Sequence, residues 1–79
     1  MSVEKRLGNV FREVFELNEL PEKSELIYNQ FPKWNSLGHM SLIAAIETEF
    51  DCILDTDDIL AMSSFQQALG IVSRIHGST

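Results

Sequence analysis

The spacing of apolar residues is the feature that most restricts the fold of this chain. Near its start, apolar side chains recur every three or four residues, which places them on one face of a helix. The pattern predicts an amphipathic helix over about residues 3–17. No segment alternates apolar and polar residues with a period of two, so we expect an all-α fold. The residues that carry the first helix are Val3, Leu7, Val10, Phe11, Val14 and Phe15.

The segment 18–35 lacks a sustained period and contains Pro21 and Pro32, a residue type that interrupts helices. It is nevertheless rich in apolar side chains, so we expect a long loop that lies across the core. Within this loop, residues 24–28 are predicted to form one helical turn. Trp34 either anchors the loop to the core or contacts a partner, and the sequence favours neither alternative.

A second helix is predicted from Ser36 or Leu37 to Phe50, and a short third helix follows it. Three acidic residues, Asp55, Asp57 and Asp58, supply a cap and first-turn charges for the third helix. A calcium loop is the weaker interpretation of these acids, because the central glycine and the terminal glutamate of an EF-hand are absent.

The last helix is predicted to begin at Ser63, which has the spacing of a capping box with Gln66, and to end at Gly77. Gly70 lies inside it and is expected to be closely packed against a neighbour. The predicted fold is a small four-helix bundle of three longer helices and one short helix, formed by a single domain over residues 1–79. The inner face of the last helix is predicted to consist of Phe65, Ala68, Leu69, Val72 and Ile75.

The charge balance restricts the partners of this domain. Twelve acidic and six basic residues give a net charge of −6. We therefore expect no nucleic-acid binding, which requires cations against phosphates, and instead expect partners with basic patches. Cys52 is the only cysteine and no zinc spacing exists, so we expect no metal site and a reducing compartment. No membrane span or signal peptide is evident, so we expect a cytoplasmic protein without membrane insertion.

The second helix has two apolar faces. Leu42, Ile46 and Phe50 lie on one arc of the helical wheel and are predicted to face the core. Leu37, Met40 and Ala44 lie on the opposite side, with Glu47 at the edge, and we call these four residues the outer stripe. An apolar stripe on a surface usually marks a contact site. The alternative is that the loop carrying Phe31 and Trp34 folds over it.

Ser36 lies at the start of the second helix, where backbone N–H groups without helical partners and the positive end of the dipole meet. Its simplest role is that of an N-cap. The same environment would also favour a covalently attached phosphate. His39 is one turn further along, and a half-buried packing role is expected for it rather than that of a base for the serine.

The stretch from Asn35 to Phe50, N-S-L-G-H-M-S-L-I-A-A-I-E-T-E-F, resembles the signature of acyl carrier proteins. The resemblance covers nearly the whole chain in its length, acidity and order of helices. It implies that Ser36 is modified with 4′-phosphopantetheine from coenzyme A by a phosphopantetheinyl transferase, in a phosphoryl transfer. It also implies a carrier of acyl thioesters that is not itself an enzyme.

The resemblance further implies a docking face and a cleft. The docking face would be the outer stripe, Leu37, Met40, Ala44 and Glu47, together with Ser41, and it would bind acyl-loading and acyl-transferring enzymes through basic patches. The cleft that shelters an attached chain would be lined by Leu42, Ile46, Phe50, Ile59, Met62 and Ala68.

Two positions depart from the family pattern. Asn35 replaces the acid that precedes the serine, which predicts slower loading by the transferase, and Ser41 replaces another acid of the docking face. These changes favour a specialised carrier over the housekeeping carrier of fatty acid synthesis. We expect a monomer, and the cargo is left open among fatty acyl, polyketide and related groups. The alternative function is a carrier-like helical interaction module that is never modified.

Overall fold

The computed structural model describes residues 2–76 and confirms the all-helical fold class. Four α-helices are present in this part of the chain: α1 (Val3–Val14), α2 (Ser36–Phe50), α3 (Thr56–Ala61) and α4 (Phe65–His76). A 3₁₀ turn at Lys23–Glu25 interrupts the long connection between α1 and α2. None of the helices described is long and apolar enough to cross a membrane.

The first helix begins as its sequence predicts but ends three residues early. The Ser2 hydroxyl accepts a hydrogen bond from the Lys5 N–H (3.1 Å) and caps the helix. At the other end, the Leu17 N–H donates to the Arg12 carbonyl (2.8 Å) while Glu16 adopts a left-handed conformation (φ 56°). This is a Schellman closure, which satisfies the last carbonyls and turns the chain away before residue 17.

The loop between α1 and α2 lies across the core, as predicted. Leu26 is completely buried, and its carbonyl accepts a hydrogen bond from the Phe65 N–H (2.9 Å) at the start of α4. The next turn of the loop is tied to the same place, because the Tyr28 N–H donates to the Ser63 carbonyl (2.9 Å). The predicted helical turn at 24–28 is replaced by the shorter 3₁₀ turn.

The core is built around aromatic rings from three parts of the chain. Phe11 of α1 contacts Trp34 of the loop (ring centroids 5.1 Å apart) and Phe65 of α4 (5.0 Å). Phe15 packs against the same tryptophan at 5.9 Å. Trp34 is fully buried, which decides its role in favour of the anchor. Edge-to-face and tilted ring pairs of this kind add stabilisation beyond the area that they bury.

The predicted N-cap of α3 is confirmed, whereas the predicted N-cap of α4 is corrected. The Asp55 side chain accepts from the Asp58 N–H (2.8 Å), as expected for α3. For α4 the cap is Ser64, whose hydroxyl accepts from the Gln67 N–H (3.1 Å), and the prediction of Ser63 is wrong. The Ser64 carbonyl accepts the first helical bond, from the Ala68 N–H (2.9 Å), so Ser63 lies one residue before the cap.

Within α4 the predicted inner face is confirmed in part. Phe65, Ala68 and Val72 are buried, whereas the predicted members Leu69 and Ile75 are only partly buried. Ile71 is buried and was not predicted. The close packing expected at Gly70 is wrong, because a Cβ atom there would meet nothing within 4 Å. The predicted helix end at Gly77 lies outside the described residues.

Candidate functional site

Asn35, rather than Ser36, caps the second helix. The Asn35 side-chain oxygen accepts a hydrogen bond from the Gly38 N–H (3.0 Å), and its backbone is extended (φ −112°, ψ −166°). Its carbonyl accepts from the His39 N–H (2.7 Å), as the first bond of the helix requires. Ser36 is therefore the first helical residue, and the prediction that it caps α2 is wrong.

The Ser36 hydroxyl is exposed at the positive end of the α2 dipole. Its oxygen lies 3.2 Å from the Tyr28 hydroxyl, and either group can be the donor. Because Asn35 already caps the helix, the serine oxygen is not required to hold the backbone. An exposed hydroxyl that contributes little to the fold is free to accept a covalent group, and the neighbouring N–H dipoles suit a phosphate.

Gly38 fixes the approach of the loop to this site. A Cβ atom at position 38 would overlap the carbonyl oxygen of Lys33 and would lie 3.3 Å from the Phe15 ring. The loop backbone therefore passes directly against the first turn of α2, and only glycine leaves room for it. This contact sets where Asn35 and Ser36 emerge from the loop.

His39 connects the loop, α2 and α3. The Trp34 Nε1–H donates to His39 Nδ1 (2.9 Å), so the ring proton is on Nε2, which donates to the Ile59 carbonyl (2.9 Å). The imidazole also stacks on Trp34, with an interplanar angle of 19°. Both ring nitrogens form hydrogen bonds with these partners, so His39 is not arranged as a base for Ser36. It has a half-buried packing role, as predicted.

The outer stripe of α2 is exposed, and the loop does not cover it. Leu37 is 80% exposed and Met40 is 58% exposed. Ala44 and Ser41 are also exposed. Glu47 differs from the rest, because it is half-buried and one of its carboxylate oxygens accepts from the Leu54 N–H (2.9 Å). It therefore also holds the connection from α2 to α3.

Two further apolar side chains are exposed near α3 and were not predicted as site residues. Ile53 is 88% exposed and Leu60 is 76% exposed. Each has an apolar neighbour in sequence that turns inward: Leu54 is buried and Ile59 is packed against the core. Successive side chains of a helix or turn point in different directions. Two adjacent apolar residues were therefore the signal in the sequence that one member of each pair faces solvent.

The six predicted cleft residues belong to the hydrophobic core or pack against it. Ile59 is half-buried, and the other five are buried against their neighbours. A cavity of about 130 Å³ lies beside the start of α2, and only two of the six, Ile59 and Met62, contribute to it. We call it the Tyr28 cavity, and its lining residues are Tyr28, His39, Ile59, Leu60, Met62 and Ser63.

A larger open groove of about 690 Å³ lies between α1 and the loop, and it contains no predicted site residue. It is lined by charged and polar side chains such as Glu4, Arg12 and Lys23. None of its lining residues belongs to α2.

The described residues contain no group of three or more histidine, cysteine or acidic side chains arranged for a metal ion. Two of the three acids near α3 have other partners: Asp55 caps the helix, and Asp58 pairs with Arg74 (2.7 Å). Cys52 is half-buried at the end of α2. Burial raises the pKa of its thiol, and the negative charges of Glu47 and Asp51 raise it further.

Comparisons with family models, curated proteins and solved structures found no match for this chain. Any functional conclusion therefore rests on the residues and on their arrangement.

Proposed function

We propose that this chain is an acyl carrier whose Ser36 is modified with 4′-phosphopantetheine from coenzyme A. The supporting observation is that the Ser36 hydroxyl at the start of α2 is exposed, while the adjacent Asn35 supplies the N-cap of the helix. The serine oxygen would form a bond to the pantetheine-side phosphorus of the coenzyme while the bond from that phosphorus to the bridging oxygen of the diphosphate breaks. Adenosine 3′,5′-bisphosphate would leave, and the hydroxyl proton would pass to a base of the transferase. Once attached, the group supplies a terminal thiol for carrying acyl groups as thioesters.

The residues around Ser36 have separate tasks in this proposal. Asn35 and Gly38 fix the position of the first turn of α2, whose positive dipole end suits a phosphate. His39 ties that turn to α3 and to Trp34, which keeps the attachment point rigid. Tyr28 has its hydroxyl next to the serine oxygen and can act only as the donor once that oxygen becomes an ester.

Two kinds of partner follow from the proposal: a phosphopantetheinyl transferase, and enzymes that load or remove acyl groups. They would grip the outer stripe, where Leu37 and Met40 offer apolar contact without rearrangement of the fold. Methionine adapts to partners of different shape. Glu47 uses one oxygen inside the chain, so the other can meet a cation of the partner. The net charge of −6 favours association with basic patches.

The decisive experiment is the intact mass of the chain after incubation with coenzyme A and a broad-specificity transferase. We expect a gain of one phosphopantetheine unit, absent in Ser36→Ala. Ser24→Ala is the matched control, because Ser24 is an exposed serine outside α2 and outside the docking face, and it should be modified normally. A known carrier in the same tube reports transferase activity. No gain in mass while that carrier is modified would refute the proposal for that transferase.

The uncharged side chain of Asn35 suggests a second experiment, in which intact mass follows the rate of modification. Asn35→Asp preserves a capping oxygen and adds the negative charge that the family pattern has before its serine. Because peripheral charges mainly affect association rates, we expect faster modification of Asn35→Asp at low salt and a smaller gain at high salt. Equal rates for both proteins with the matching transferase would contradict this role for position 35.

The alternative is an interaction module that is never modified. It is favoured by the uncharged Asn35 and by Ile53 and Leu60, two further exposed apolar side chains near α3. The mass of the protein purified from its own source separates the two functions. A modified fraction supports the carrier, whereas an unmodified chain that also resists its own organism's transferase supports the module.

A further inference from the structure

Tyr28 is the only tyrosine of the chain, and its hydroxyl meets the proposed attachment point. The hydroxyl oxygen lies 3.2 Å from the Ser36 oxygen, and in the unmodified protein either group can be the donor. Tyr28 belongs to the long loop, whereas Ser36 is the first residue of α2. This hydrogen bond is therefore a direct contact between a loop side chain and the serine that would carry the arm.

The position of the Tyr28 hydroxyl is set by the fold around the residue. Its backbone N–H donates to the Ser63 carbonyl (2.9 Å). Its ring packs edge-to-face against Trp34 and His39, with centroid distances of 6.4 and 5.1 Å. His39 is itself fixed, because both of its ring nitrogens are hydrogen-bonded. A side chain held by packing in this way keeps its hydroxyl aimed at the start of α2 whether or not the serine is modified.

Modification of Ser36 would change the hydrogen bond that Tyr28 can form. The ester oxygen carries no proton, so the tyrosine hydroxyl becomes the only possible donor of the pair. The phosphorus bonded to that ester oxygen also carries negatively charged oxygens beside the same donor. A hydrogen bond to an ionised acceptor is shorter and roughly twice as strong as one between neutral groups. Modification would therefore strengthen the contact between the loop and position 36.

We propose that Tyr28 is a positioning residue that donates a hydrogen bond to the phosphate group on Ser36 and so fixes the base of the arm against the protein. The inference rests on the proposed function, because it requires a phosphodiester at position 36. It assigns a role to a loop side chain that lies outside the outer stripe and acts on the arm rather than on a partner. Its consequence is a thermodynamic coupling between the modification and the Tyr28 hydroxyl.

The test compares four proteins, namely the unchanged chain and Tyr28→Phe, each with and without the arm on Ser36. Intact mass confirms the modification, and urea unfolding gives the equilibrium constant of unfolding. Tyr28→Phe keeps the ring and removes only the hydroxyl. We expect it to raise the unfolding constant of the modified chain by a factor at least about three times larger than in the unmodified chain, because the ionised acceptor forms the stronger bond. A purely structural hydroxyl would give the same factor in both forms.

Thr48→Val is the matched control for the loss of a hydroxyl. The Thr48 hydroxyl is exposed and donates to the Ala44 carbonyl (3.1 Å), more than three turns after Ser36 on α2. The control should therefore change the unfolding constant by the same factor with and without the arm. If Thr48→Val showed the same excess in the modified chain as Tyr28→Phe, the coupling would be a general effect of the arm on α2, and the inference would be wrong.

Nuclear magnetic resonance tests the same contact in the unchanged protein, without depending on the folding of a variant. The chain has one tyrosine, and the modified chain would have one phosphodiester, so the hydroxyl-bearing ring carbon and the phosphorus each give one signal. We expect the carbon signal to shift on modification. We also expect the phosphorus signal of the folded chain to differ from its position in urea, and Tyr28→Phe to move it toward that position.

The failure of the inference and the failure of the proposed function give different results. No gain in mass with an active transferase refutes the proposed function and the inference with it. A gain in mass with equal factors for Tyr28→Phe in both forms refutes only the inference. A gain in mass that leaves the tyrosine carbon signal of the unchanged protein in place also refutes only the inference.

Discussion

The helices α1 and α2 both have a strong apolar face, but they differ in what lies opposite to it. In α1 the apolar residues Val3, Leu7 and Val10 are all buried, and the other side is polar. In α2 the core face is buried to the same degree, yet Leu37 and Met40 are exposed on the far side. Folding alone accounts for the sequence of α1. It does not account for the outer stripe of α2, which is typical of a binding surface.

The largest predicted effect tests this difference by replacing one leucine on each face of α2 with alanine. Leu42→Ala should lower the free energy of unfolding by about 2–5 kcal/mol, because it opens a cavity at a completely buried position. Leu37→Ala should change it by less than about 0.5 kcal/mol, because its side chain is already in water. Urea titration of both variants provides the measurement. A large loss of stability in Leu37→Ala would mean that the outer stripe belongs to the core after all.

The next prediction compares a glycine in each helix. In Gly38→Ala the new methyl group overlaps the Lys33 carbonyl oxygen, so we expect a loss of about 1–3 kcal/mol from backbone displacement. In Gly8→Ala of α1 it meets only the flexible end of Leu20, at 3.1 Å. That contact roughly offsets the gain in helix propensity of about 1 kcal/mol, so a near-neutral result is expected.

Gly70→Ala is the positive control for these two variants. Thermal or urea unfolding measures the stability of all three. Position 70 has open space around it, so the substitution should stabilise the chain by about 0.5–1 kcal/mol. If Gly38→Ala and Gly70→Ala gave similar results, the close approach of the loop to the first turn of α2 would be wrong.

A smaller effect separates the adjacent residues Asn35 and Ser36. Asn35→Ala removes the capping oxygen from the Gly38 N–H and should lower the free energy of unfolding by about 1 kcal/mol. Ser36→Ala removes only an exposed contact with the Tyr28 hydroxyl and should cost less than about 0.5 kcal/mol. The reverse order of stabilities would return the capping role to Ser36 and weaken the case for a free attachment point.

Local rules were sufficient to predict most of the fold from the sequence. The all-helical class, the bounds of α2, the start of α3 and the exposed stripe follow from periodicity and capping, which depend on residues a few positions apart. The choice between neighbouring caps does not follow from these rules. Asn35 precedes Ser36, and Ser63 precedes Ser64, and in each pair both residues are good N-caps. The choice depends on how the loop is held against the helix, which involves residues distant in sequence.

The surroundings of Ser36 were less predictable for the same reason. The contact between Tyr28 and Ser36 and the two hydrogen bonds of His39 join the loop, α2 and α3. No periodic pattern encodes these contacts. The cleft of six residues was expected only from the family resemblance, whereas the lining of the small Tyr28 cavity is set by this tertiary packing.

The smallest predicted effect concerns Cys52, which follows the C-terminal end of α2. Burial, followed by the charges of Glu47 and Asp51, holds the pKa of the Cys52 thiol above its ordinary value of 9.0. The neutral thiol is thus favoured by folding, so this stabilisation is complete below pH 9.0 and is lost as the pH rises through the higher folded-state pKa. Since the thiolate is the reactive form, alkylation of the folded chain below pH 9.0 should be slower than alkylation in denaturant. Glu47→Gln keeps an acceptor for the Leu54 N–H and removes one negative charge, so it should speed alkylation of the folded chain and leave the rate in denaturant unchanged. An unchanged rate in the folded variant would mean that burial alone protects the thiol, and that the carboxylate of Glu47 exerts little field at this end of α2.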